Sequence, residues 1–133
     1  MSLYIGLYVK KVLDANEAVA AIATGGVFPV VAPDTERVSG DYVWFHATNC
    51  TAGTTKDGWA GDEAAVEVEC VARSYERLTD LASAVRTALY GAPAEVDGVP
   101  LRVCDVAFSA GEEMYDMVTD EYSRTLTFNF STE

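Results

Sequence analysis

Positive charge is scarce in this sequence. Nine Lys and Arg face 21 Asp and Glu, giving a formal net charge of −12 at pH 7 and a pI near 4.3. A grip on nucleic acid needs clustered bases that displace counterions from phosphate, so specific nucleic-acid binding is excluded. Docking on anionic lipid is excluded for the same reason. Long apolar runs are missing as well: no stretch approaches the roughly 18 residues a membrane-spanning helix needs. The opening segment, MSLYIGLYVKKVLDANEAV, does not read as a signal peptide, because Lys10 and Lys11 follow its apolar part instead of preceding it. The expected setting is a cytoplasm-like compartment.

Catalytic signatures are equally thin. There is one His, and the three Cys (Cys50, Cys70, Cys104) form no CxxC pair. No GxSxG elbow, P-loop, HExxH, GxGxxG or EF-hand spacing occurs. Cys70 in VEVECVA and Cys104 in LRVCDV read as small apolar strand residues, reduced thiols of the core. His46 and Cys50 lie four apart and could join a zinc site, but the close-spaced pairs that pin zinc are missing. A His midway along an aromatic strand reads as a packing residue sooner than a general base. The expectation is no enzyme, no cofactor and no metal.

What is present supports a folded core. Half of the 133 residues are apolar and 11% are aromatic, enough for one compact domain. Residues 3–13 carry apolar positions at helical spacing. Asp14 and Glu17 resemble a capping box for a second short helix over 15–23, closed by Gly25 and Gly26. The segment VFPVVAPD, with Pro29 and Pro33, reads as an extended connector or edge piece. Residues 42–48, YVWFHAT, predict a strand buried on both faces. Residues 49–62 read as a long Gly- and Thr-rich loop, with Lys56, Trp59 and Asp62 in it.

Residues 63–73 resume a strand with Val66, Val68, Cys70 and Ala72 on one face, and form an antiparallel hairpin with the strand before the loop. The cleanest helical stripe is Leu78, Leu81, Ala82, Val85, Ala88 and Leu89, which predicts a helix over 75–90 with Ser74 as N-cap and Gly91 as stop. Asp97-Gly98 predicts a turn between strands at 94–96 and 99–108, and a phase slip near Cys104-Asp105 predicts a bulge. The stretch 110–121 holds Glu112, Glu113, Met114, Tyr115, Asp116 and Met117. It reads as a solvated acidic loop whose spacing does not suit Ca²⁺. Residues 123–130 alternate, with Leu126, Phe128 and Phe130 inward. The sum is α+β: an antiparallel sheet with the 75–90 helix across it and an N-terminal helix.

The order of these pieces resembles a known family. A helix leads to VFPVVAPD and YVWFHAT. A Gly-rich loop then leads to VEVECVARSYERLTDLASAVRTALYG. DGVPLRV, an acidic Tyr-Asp segment and YSRTLTFNF complete the chain. The pattern is similar to the tail-completion, or tail-terminator, proteins of long-tailed bacteriophages and prophages, across about residues 3–130. That resemblance implies a structural protein of the virion tail, made in the bacterial cytoplasm. It implies a ring of copies of itself, typically six, that ends the tail tube and joins the head connector. DNA would pass through the lumen without specific binding, which suits an acidic chain. The candidate interface residues are Lys56, Trp59 and Asp62 in the Gly-rich segment and Glu112, Glu113, Met114, Tyr115 and Asp116 in the acidic one. Trp, Tyr and Met are frequent interface anchors. The residues alone leave two alternatives: a small ligand-binding or enzymatic domain with a pocket near Tyr42, Trp44 and His46, or another head–tail connector component.

Overall fold

The computed structural model describes residues 2–31, 40–55 and 58–132. A 3₁₀ turn at Ser2–Tyr4 enters α1 (Ile5–Ala15), followed by α2 (Glu17–Ile22) and the short strand β1 (Gly26–Pro29). Next come β2 (Tyr42–Thr55), β3 (Gly58–Ala72), α3 (Tyr75–Tyr90), β4 (Val103–Asp116) and β5 (Glu121–Thr132). The five strands form one sheet in the order β1-β2-β3-β5-β4. The fold is α+β. All pairings are antiparallel except β1 on β2, which is parallel, so the sheet is mixed.

All three helices lie on one side of the sheet. Ile5, Val9 and Leu13 of α1 and Leu78, Leu81, Val85 and Leu89 of α3 pack there onto Val43, Phe45, Val66, Val68, Cys70, Leu126, Phe128 and Phe130. Among the described residues no helix covers the other side of the sheet, the bare face. The strand YVWFHAT is therefore buried on both faces only at its start: Val43 and Phe45 face the helices and Tyr42 is buried on the other side, while Trp44 and His46 are partly exposed.

Local chemistry sets the helix ends. Ser74 caps α3, its Oγ accepting from the Arg77 N–H at 3.5 Å, and Gly91 ends it. The start of α2 corrects the expected capping box. Because α1 runs through Ala15, Asp14 lies in its last turn and pairs with Lys10 at 2.8 Å. Asn16 is the first extended residue, and its Oδ1 accepts from the Val19 N–H at 3.0 Å. The segment 94–102 is also corrected. Asp97-Gly98 does turn, with Gly98 at φ +81°, but no strand pair flanks it. The segment is tied to α1 instead: Lys11 Nζ donates to the Asp97 carbonyl at 2.9 Å and Tyr8 Oη to the Pro93 carbonyl at 2.8 Å.

Most of both expected loops is strand: 49–55 and 58–62 of one, and 110–116 with Glu121 of the other, with a turn at 117–120. The Gly-rich segment is the distal half of the β2–β3 hairpin, paired as far as Thr55 and Gly58. The acidic segment is the distal half of the β4–β5 hairpin, paired from Glu113–Arg124 to Asp116–Glu121. The predicted bulge is present between Val103 and Asp105. Cys70 is a buried core thiol, whereas Cys104 lies exposed at that bulge, against expectation.

Candidate functional site

The two groups of candidate interface residues fall at opposite ends of the sheet. Lys56 lies outside the described residues. The Trp59 backbone sits in β3 opposite Thr54, beside the hairpin turn. Asp62 stands between Ala52 of β2 and Thr132 of β5, its carbonyl accepting from Thr132 Oγ1 at 3.3 Å. Beyond Asp62, β5 has ended, so Gly58–Gly61 and the facing end of β2 project as a two-stranded arm. Gly61 marks its root. Its φ of +100° suits glycine, and a Cβ there would come within 2.8 Å of the Thr132 carbonyl oxygen. Glu113, Met114, Tyr115 and Asp116 lie at the far end, where Ala72 of β3 pairs with Tyr122. At about 3.3 Å per residue, the run of β3 from Asp62 to Ala72 separates the two ends by roughly 33 Å.

The β4–β5 end is an exposed apolar tip with an acidic rim. Met117 is 85% and Val118 94% exposed, and Met114 and Tyr115 are also open. Tyr115 stacks obliquely on Tyr122 at 4.8 Å, and Tyr122 meets Tyr75 of α3 edge-on at 5.8 Å. Tyr115 Oη donates to the Asp120 carboxylate, which holds the tyrosine hydroxyl protonated and its pKa raised. Glu113 lies 3.4 Å from Arg124, whose Nε donates to the Gly111 carbonyl at 3.1 Å. Glu112 is exposed on the strand beside them. The tip is thus preformed by its own aromatic and ionic contacts, while its apolar residues stay in water.

One feature is absent from the expected site: the charge of the bare face. Alternation places Glu63, Glu67, Glu69, Asp105, Asp116 and Glu121 on it. β1 to β4 contain no Lys or Arg, and the single base of β5, Arg124, faces α3. Glu69 has its pKa raised by burial first and by Glu67 second, offset by His46 and by hydrogen bonds from Ser123 and Trp44. Burial, then Glu121 and Glu69, push the Tyr42 hydroxyl up to about 12. The signal was readable in the sequence as strands free of bases.

Tyr42, Trp44 and His46 were the expected centre of a pocket. Tyr42 packs edge-on to Phe28 at 6.3 Å, and Trp44 and His46 stack at 5.6 Å on the bare face. His46 is half-exposed and packs as expected, on the Trp44 ring, with its Nε2 3.4 Å from Glu67. His46 and Cys50 part company because Thr48 is an extra residue in β2, which turns Cys50 toward the core. Among the described residues no three His, Cys, Asp or Glu side chains gather in a way that could hold a metal. A groove of about 240 Å³ does run beside α3, lined by Leu78, Ala82, Arg86, Phe108, Arg124 and Leu126. Arg86 covers the rings of Tyr90 and Phe108 there, 5.4 and 5.0 Å from their centres.

Residues 8–133 match the tail completion protein gp17 family. The chain belongs to that family. The resemblance carried by the order of its elements therefore holds, and the protein is a structural tail-completion protein of the phage type. No curated protein matches the sequence. Among solved structures, a chain in the virion of a native gene transfer agent particle is similar with a TM-score of 0.75 and 22% identity, over 99% of this chain and 95% of that one. Another solved structure reaches a TM-score of 0.58 at 16% identity, over 100% of this chain and 96% of that one. At these identities the likeness shows the fold. In a tail-completion protein the surfaces that matter are those offered to other proteins. The described residues present three such surfaces to solvent: the projecting arm, the apolar tip and the anionic sheet face.

Proposed function

We propose that copies of this chain form a ring, of six subunits, at the head-proximal end of the tail, where it caps the tail tube and meets the head connector. The observation that carries this reading is the placement of arm and tip at opposite ends of one sheet. Unlike surfaces on opposite ends suit a ring subunit that meets different neighbours on its two sides, tube on one and connector on the other, while copies repeat heterologously around the ring. The anionic sheet face suits the bore. It repels phosphate, so DNA slides through without sticking. The role is structural, and no substrate turnover is expected.

Imaging of negatively stained particles tests the reading. Particles with the chain are expected to show a ring at the head-proximal tail end. Particles made without it are expected to have tails of irregular length and no attached head. Heads joined normally in its absence would overturn the proposal, as would a ring whose bore is lined by Arg and Lys.

A further inference from the structure

Among the described residues two edges of the sheet are open, and they match. β2 pairs with β1 only over Tyr42–Phe45. β1 ends at Pro29, and Val30 takes a φ of 68°, a conformation rare for a β-branched residue. Among the described residues no strand pairs on that side with the rest of β2, His46–Thr55. Val30 and Val31 are 67% and 71% exposed where this open stretch begins, the Val30 N–H donating to the Phe45 carbonyl at 2.6 Å. On the opposite side, β4 presents its outer edge along Val103–Asp116. Edges that must stay solitary are blunted by charge, Pro, bulges, covering segments or short length. The open stretch of β2 carries no Lys, Arg, Pro, Asp or Glu, and β4 no Lys, Arg or Pro; β4 does carry four acids and bulges at Val103–Asp105 and Ala110–Glu113, so it needs a partner edge free of acid.

We propose that β4 of one copy adds to the β2 edge of the next, so that the sheet continues from subunit to subunit. This rests on the ring reading. Three observations select this occupant. The first is direction. β2, β3, β5 and β4 alternate, so a neighbour's β4 beside β2 completes another antiparallel pair. The second is height. Asn49 stands beside Ala65, Ala65 beside Asn129 and Asn129 beside Ala107, one row across the bare face. The open part of β2 and the first half of β4 therefore share a level. Rotation without rise joins them, which closes a ring where a rise would give a helix. The third is charge. β4 carries Asp105, Glu112, Glu113 and Asp116, while His46–Thr55 carries no acid. Two β4 edges back to back would set acid against acid, which is unfavourable in directly opposed pairs.

Disulfide trapping in assembled particles tests the proposal. Asn49→Cys with Ala107→Cys places thiols at the two ends of the row, and Thr51→Cys with Asp105→Cys repeats the test one row away. Under mild oxidation either double variant is expected to lose most of its monomer band to a ladder that ends at the ring size. The single variants are expected to stay at the level of the unmodified chain. Dimers from Ala107→Cys alone would show β4 back to back and overturn the proposal. So would a cross-link to a chain of another mass. Visible rings without a ladder from either pair would overturn it and leave the ring reading standing. Particles with no ring would remove both.

Discussion

Asp41 joins two distant pieces of chain. It is 4% exposed, and its carboxylate accepts from the Arg73 N–H at 3.2 Å and from Arg77 Nε at 2.7 Å. That ties the start of β2 to the first turn of α3. Asp41→Ala strands the Arg73 N–H and should cost about 2 kcal/mol, read as a lower urea midpoint. Glu69 sets a pH dependence of opposite sign to a salt-bridged acid. Its folded pKa is raised, so the native state holds the proton longer than the unfolded chain. Stability should therefore fall as pH rises from the ordinary Glu value of about 4.3 through the raised one. Glu69→Gln should melt higher than the parent at pH 7, with the gap closing near pH 4 in a thermal titration. The Cys70 thiol is pushed up to about 12 by burial and, less, by Glu69. It should react with thiol reagents only as the chain unfolds. At this scale, residues answered by a neighbour in sequence were legible: Ser74 with Arg77, and Gly98 in its turn. Asp41 was not, because its partners lie more than 30 positions away.

Among the elements, α3 was the most legible, since its stripe and both ends are local in sequence. Leu81 is fully buried under it. Leu81→Ala should cost roughly 2–5 kcal/mol by denaturant unfolding. The two hairpins were half legible. Their inner halves alternate apolar and polar because helices cover one face. The outer half of β4, residues 111–116, is exposed on both sides, so composition there resembles loop, and the outer half of β2–β3 is rich in Gly and Thr. Only the partner strand across the hairpin shows that residues 49–55 and 111–116 are extended, and that information is non-local. The root of the β2–β3 arm offers a direct check. Gly61→Ala meets both a positive φ and the Thr132 carbonyl, and should destabilise by about 1–3 kcal/mol in chemical unfolding. Bulges were legible where the phase slipped between apolar residues, as at Val103–Asp105. The one at Thr48 passed unseen because its neighbours are small and polar.

For the whole molecule, the sequence made the class and the family resemblance readable, but hid the sidedness. Helices on one face, carboxylates on the other and sticky groups at two ends emerge only when strands are set side by side. Met117→Asp with Val118→Asp should leave the melting temperature nearly unchanged, because both side chains are in water. The same variant should yield particles with detached heads or tails, counted by electron microscopy. Trp59→Ala should likewise spare the fold and abolish ring assembly or tail joining, whereas a large stability loss would place that indole in the core.

The brevity of β1 has a wider consequence. Were Val30 to keep ordinary extended dihedrals, the first strand would run on along its neighbour and seal that flank. The same sequence pattern would then describe a self-contained globule with nothing to hand to a sibling. Under the proposed joining of copies, that single backbone kink is what leaves the flank free for a sibling.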